Sequence, residues 1–301
     1  MRHAYLILAH NNWQQLYKLI QLLDSKNAGF YIHIDKRAKD FDKSYFNNAC
    51  QFSTVHFFAE YENFWGSYRL IESELFLLEK ATANNYDYYH LLSGTDLPIK
   101  PQNYIEQFFE DNAGKEFIHF DTDKRLKTDK ELGRRTHLYH WLQNYRRRYK
   151  SKWLNKTFTF IEHCSLGMQL ILGVDRLKNK EIKIYYGSQW FSITKAFAKY
   201  VLSQKELITD IFKYTSCSDE LVFQTLLMRS NFKNRLYIQE RSNTCLSNMR
   251  LIDWERGRNG SPYTWKADNF DELKSSKCLF ARKFELDFPD ELIRLLVGDS
   301  C

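Results

Sequence analysis

The sequence is poor in the residues that punctuate or staple a chain. Only 4 of its 301 residues are proline and 11 are glycine, which excludes a linker-rich or low-complexity organisation. Six cysteines (Cys50, Cys164, Cys217, Cys245, Cys278 and Cys301) stand singly, with no C-x-x-C pair and no zinc-like spacing. Neither a disulfide framework nor a thiolate metal cluster is therefore expected, and the cysteines read as mostly reduced thiols of a cytoplasmic protein. No segment approaches the ~20 apolar residues that span a bilayer. The opening MRHAYLILAH has an apolar run of strand length, without a signal peptide's h-region or cleavage site, so neither an export signal nor an anchor is expected.

What is abundant is apolar and aromatic. Hydrophobic residues make up 44% of the chain, with 23 Phe and 19 Tyr, enough for a continuous buried core at this length. Such wealth suits a sugar-binding cleft and a core equally. Lys and Arg number 44 against 37 Asp and Glu, a net charge of +7, which favours anionic partners such as nucleotide phosphates, lipid headgroups or nucleic acid without choosing among them.

Up to about residue 121, short apolar runs alternate with helical patterns, the signature of a parallel sheet with crossover helices. Strands are expected at Tyr5 to Ala9, Phe30 to Ile34, Val55 to Ala59, Tyr86 to Leu92 and Lys115 to Phe120. Helices are expected after Asn12, which can cap the first, and from Ser67 to Thr82. Functional groups in such sheets gather beyond the carboxyl ends of the strands, which nominates Asp35, Asp96 and the Asp-Thr-Asp at 121–123. From about 124 to 180 the pattern becomes irregular and basic. Regular elements resume at GSQWFSIT (187–194), with helices at Lys195 to Ser203 and Ser218 to Met228, a strand at Arg235 to Gln239, and a terminal amphipathic helix.

Six blocks then read together: YIHIDKR (31–37), FWGSYRL (64–70), HLLSGTDLPIK (90–100), GSQWFSIT, the SDE at 218–220, and LFARKFE (279–285). In this order, across nearly the whole chain, they resemble glycosyltransferase family 14, the core-2 and I-branching β-1,6-N-acetylglucosaminyltransferases and the peptide O-xylosyltransferases. The resemblance implies a GT-A type α/β fold with a central, mostly parallel sheet flanked by helices. It makes the chain a single domain (1–301), divided into a nucleotide-binding half (1–123), a basic helical insertion (124–180) and an acceptor and catalytic half (181–301). It also implies a UDP-sugar donor, inversion at the anomeric carbon and no divalent metal or other cofactor.

Residue by residue, Glu220 matches the family's catalytic base, although a carboxylate at a helix start after Ser218 also suits a capping box. Arg282 and Lys283 match the pair that holds the leaving diphosphate. Asp35 matches the uracil-contacting aspartate, with Ala9 and His10 beside it. The His10 and His33 side chains themselves read as ordinary packing or surface groups. Trp65 and Gly66 resemble the xylosyltransferases' Trp-Gly pair bordering the nucleotide sugar, or else a core tryptophan before a turn. Asp96 lies where relatives border the donor sugar, or caps its own turn. Trp190 and Trp254 could stack on a sugar or belong to the core. Gln189 departs from the acidic residue by which the xylosyltransferases contact an acceptor serine. A further arginine that the core-2 enzymes use is matched only loosely, by Arg256 or Arg258.

Asp121 and Asp123 imitate the metal-binding Asp-x-Asp of many GT-A enzymes, but the family resembled here substitutes cations, so no metal is expected. The run YRRRYKSKWLNK (145–156) holds six cations and no acid. It reads as a solvated face, as a patch for peripheral contact with an anionic membrane's inner surface, or as a nucleic-acid patch lacking any supporting module. The expected acceptor is a glycan or glycoconjugate, with no nucleic-acid partner. N-acetylglucosamine in β-1,6 linkage stands first as the transferred sugar, UDP-xylose second as donor, and a non-catalytic UDP-sugar-binding protein is the rival from another class.

Overall fold

A computed structural model describes residues 1–258 and 260–298. Its strands are β1 (His3–Ala9), β2 (Ala28–Ile34), β3 (Thr54–Phe58), β4 (Tyr88–Ser93), β5 (Asp96–Pro98), β6 (Phe117–Ile118), β7 (Phe191–Thr194), β8 (Arg250–Ile252) and β9 (Phe280–Arg282). The helices are α1 (Trp13–Leu22), α2 (Arg69–Thr82), α3 (Gln102–Asp111), α4 (Asp123–Thr128), α5 (Lys130–His137), α6 (Lys152–Ile171), α7 (Lys195–Ser203), α8 (Lys205–Phe212), α9 (Val222–Met228), α10 (Phe270–Ser275) and α11 (Asp290–Val297).

The main sheet has the order β3-β2-β1-β4-β7-β6. Strands β1 to β4 are parallel, while β7 runs antiparallel to both β4 and β6. This is the mostly parallel α/β sheet expected of a GT-A type fold. Every residue of β1, β2 and β4 is buried, because crossover helices cover both faces of a parallel sheet. One core layer packs α1 and the C-terminal elements against Tyr5, Ile7, Phe30 and Ile32; the other packs α2, α7, α8 and α9 against Leu6, Tyr31, Leu91 and Ile193. A second sheet, β5-β9-β8, stands beside the first, and its β5–β9 register sets Asp96 opposite Arg282.

Three expectations need correction. The segment 235–239 is not a strand: it follows a 3₁₀ turn at Asn231–Arg235 and makes a single bridge, Leu236 to Glu116. Its apolar side chains cover the sheet from a loop. The expected helix from Ser218 to Met228 breaks into a 3₁₀ turn (Ser218–Glu220) and α9, with Cys217 at φ 52 before it. Asn12 adopts a left-handed conformation with no side-chain cap bond; its carbonyl instead accepts from the backbone amides of Gln15 and Leu16.

Candidate active site

The parallel order places β2 and β3 on one side of β1 and β4 on the other. The chain therefore reverses its progression between β1 and β4, the crevice where ligands bind in open α/β sheets. The ends of these strands are tied together by main-chain bonds: the Asp35 amide to the Ala9 carbonyl (2.8 Å) and the Gly94 amide to the Leu8 carbonyl (3.0 Å).

Around that crevice the structure gathers cations. His10 lies within electrostatic reach of Asp35, Arg37, Arg282 and Lys283. Loss of water depresses its imidazole pKa below the ordinary value; Asp35 opposes this and the three cations add to it. Asp35 is buried, and both its oxygens are taken by the Arg37 guanidinium (3.0 and 2.7 Å), with the Arg37 and Asn63 amides also donating. The carboxylate thus orients Arg37 toward the same crevice. Arg282 donates to Asp96 (2.7 Å) from 4.5 Å above the Trp190 ring. Burial raises the Asp96 carboxyl above its ordinary range and Arg282 pulls it back. Trp190 is itself buried, a platform under the arginine with no open face, whereas Trp254 is 57% exposed two residues past β8.

Glu220 sits at the other edge of the site. Its carboxylate accepts from Arg135 (3.2 Å), with Tyr186 beside it, and its main-chain carbonyl accepts from the Gly187 amide (3.0 Å). Burial raises the Glu220 pKa, while Arg135, Arg125 and Tyr186 oppose the rise. Next to it, buried Asp219 is pushed up to about 7 by burial and by the Glu220 charge. Fully buried Glu74 rises well above the carboxylate range, through burial and then Asp219. Three carboxyl groups therefore share a space that disfavours three negative charges.

The strap 186–190 joins the two edges. Gly187 meets Glu220, Gln189 donates to Glu74 (2.6 Å), and Trp190 lies under Arg282. A Cβ on Gly187 would lie 1.9 Å from the His119 carbonyl oxygen, so no other residue fits without moving the strap. Trp65 and Gly66 join the Glu220 side: Gly66, at φ 75, accepts from the Cys217 amide (2.8 Å), and a Cβ there would press on the Cys217 sulfur at 3.0 Å. Trp65 is exposed, with Arg147 over its ring at 4.2 Å.

Other nominated residues have structural partners. Asp121 pairs with Arg125 (2.6 Å) and Asp123 with Arg241 (2.7 Å). Among the described residues no three His, Cys, Asp or Glu side chains converge on one ion position. Arg256 is held by Asp253 and by Glu272 (2.6 Å), and Arg258 bridges to Ser261. His33 accepts from the Tyr61 amide (3.0 Å).

A model of the Core-2/I-Branching enzyme family matches residues 3–274. The chain belongs to that family. Among its relatives, Xylosyltransferase oxt of Drosophila melanogaster is 24% identical over 292 residues, 90% of this chain and 30% of that protein. Xylosyltransferase 2 of Canis lupus familiaris is 26% identical over 327 residues, 98% of this chain and 33% of that protein. The chain thus spans about a third of the length of the curated relatives it matches. The solved apo form of mouse Xyloside xylosyltransferase 1 aligns with 93% of this chain and 96% of its own, at a TM-score of 0.37 and 9% identity.

Arg37, Glu74, Asp219, Arg135 and Tyr186 were not singled out from the sequence. Asp219 and Arg37 stood inside recognisable blocks; Glu74 and Arg135 reach their partners from 115 and 85 residues away, with no local signal.

Proposed function

We propose that this Core-2/I-Branching family member is an inverting UDP-sugar glycosyltransferase in which Glu220 is the base and Arg282 and Lys283 receive the diphosphate. The observation that carries this reading is the grouping of His10, Arg37, Arg282 and Lys283 at the strand ends, with a raised-pKa carboxyl across the 186–190 strap. In the reaction the Glu220 carboxylate takes the proton of an acceptor hydroxyl as that oxygen forms a bond to the anomeric carbon. The bond from that carbon to the diphosphate oxygen breaks on the opposite face. UDP leaves with the bonding pair, and its growing charge meets fixed guanidinium and ammonium groups in place of a metal. The arginine pairing of Asp121 and Asp123 supports a reaction without a divalent ion, since binding one would require breaking both pairs.

On donor identity, the names of the relatives favour UDP-xylose, reversing the order expected from the sequence, which placed UDP-N-acetylglucosamine first. Gln189 is turned to the fully buried Glu74. The acceptor is a glycan, glycoconjugate or protein hydroxyl. A panel of UDP-sugars assayed for hydrolysis and transfer in excess chelator tests the proposal. Turnover of UDP-xylose above UDP-N-acetylglucosamine is expected. Loss of all turnover on chelation would return the metal role to Asp121 and Asp123, and preference for UDP-N-acetylglucosamine would restore the first order.

A further inference from the structure

Helix α6 is built inside out. Its protein-facing side is polar: Glu162, fully buried, accepts from the Leu142 amide (3.1 Å) and pairs with His140 (3.2 Å). Gln169 clamps the backbone of Tyr139 at both its amide and its carbonyl (2.7 and 3.0 Å), and Asn155 does the same for Tyr149 (3.0 and 2.7 Å). The solvent side is apolar: Trp153, Phe160, Met168, Ile171 and the following Leu172 are between 58% and 81% exposed, with Ile161 at 47%. At 100° per residue these side chains, together with Leu154, Thr157 and Cys164, fall in a sector of about 120° that holds no charged residue. Twenty residues make this face roughly 30 Å long.

A face of that size on a monomer's surface marks something that covers it. The rim says what. Arg146, Arg147, Arg148, Lys150, Lys152 and Lys156 lead into and flank the amino-terminal end of α6, with no acid in the run. A second copy of the chain would bring a like-charged rim to this one, whereas an anionic lipid surface complements both the apolar face and its cationic border. No described helix is long and apolar enough to cross a membrane, and Glu162 and Lys156 exclude that role for α6 in particular.

We infer that α6 docks this protein on an anionic membrane surface, with its Trp153–Leu172 face in the headgroup and acyl boundary and Arg146, Lys150, Lys152 and Lys156 on lipid phosphates. The basic run also reaches the candidate active site: Arg147 stacks on Trp65, and the neighbouring Gly66 carbonyl accepts from the Cys217 amide three residues before Glu220. Docking through α6 therefore brings the Trp65 edge of the site toward the lipid, where an acceptor carried on or beside the membrane would be presented. The docking itself depends on neither donor identity nor turnover.

The test is flotation of the 301-residue chain with vesicles of phosphatidylcholine alone or with roughly 30 mol% phosphatidylglycerol. Binding to the anionic vesicles is expected, weakened by salt. The pair Phe160→Glu and Ile171→Glu, both outward-facing, abolishes it while the melting curve and UDP binding stay unchanged. Lys150→Gln, Lys152→Gln and Lys156→Gln together weaken it by on the order of 100-fold. No binding to anionic vesicles overturns the inference, as does undiminished binding of the double glutamate variant. A lipid-free dimer in sedimentation that Phe160→Glu dissociates would instead assign the face to a second copy and overturn membrane docking. Absence of transferase activity with intact flotation would count against the proposed reaction alone.

Discussion

Arg135 offers a direct way to move the proposed base without removing it. Its guanidinium stands 3.2 Å from the Glu220 carboxylate, and both side chains are about 30% exposed. A unit charge pair about 4 Å apart interacts by ~4 kcal/mol at an effective dielectric constant of 20. Water reaches both groups here, so a discount to ~1.4 kcal/mol is appropriate, equivalent to about one pH unit. Arg135→Gln withdraws a cation that favours the charged form, so the Glu220 pKa, already raised by burial, rises further. A base acts only when unprotonated. The acid limb of kcat/KM against pH should therefore move up by about one unit in Arg135→Gln, leaving transfer roughly tenfold slower on the falling limb and near wild type on the alkaline plateau. Arg135→Lys keeps the charge and should restore most of the limb. An acid limb in Arg135→Gln that coincides with the wild-type one, or moves down, would refute both the pairing and the role given to Glu220.

Two further perturbations probe the supporting structure. Glu116 is fully buried, accepting from the Thr194 amide (2.8 Å) and hydroxyl (2.6 Å), and burial pushes its pKa up to about 7. A carboxyl whose folded pKa is raised is without penalty below about pH 4.5 and costs about 3 kcal/mol above pH 7. Urea unfolding at pH 5 and pH 8 should accordingly show Glu116→Gln gaining on wild type by about 2.5 kcal/mol between the two, and a constant difference would contradict the shift. Gly187→Ala forces a Cβ toward the His119 carbonyl on the strap that holds the Glu220 backbone. We expect destabilisation of about 2 kcal/mol in thermal unfolding together with a fall in kcat of tenfold or more. A variant as stable and active as wild type would show that the strap has room.

The parallel half of the sheet was legible because its strands leave short apolar runs, continuous in β1, β2 and β4, which are buried on both faces: β1, β2, β3 and β4 lie within two residues of their expected bounds. The 235–239 segment has the same composition yet only covers the sheet, and composition cannot tell a covering loop from a paired strand. Helix α6 disappeared into an irregular insertion because its polar residues face the protein and its apolar ones face out, the reverse of the pattern a buried helix shows. In the site, Glu220, Arg282, Lys283 and Asp35 stood out through the blocks they occupy. The Arg37 clamp on Asp35 and the Trp190 platform under Arg282 emerged only from geometry. The Glu74, Asp219 and Glu220 cluster is assembled by tertiary packing between α2 and the turn before α9, and no local pattern announces it.

The central claim is that Glu220 removes the acceptor proton while other groups bind the donor. Its most direct test is single-turnover transfer from the preferred UDP-sugar by wild type and Glu220→Gln, in chelator, alongside UDP affinity by calorimetry. The account predicts a fall in transfer of at least 100-fold in Glu220→Gln with UDP affinity within about twofold of wild type. Transfer that survives the substitution would contradict it, and would place the base elsewhere in the carboxyl cluster.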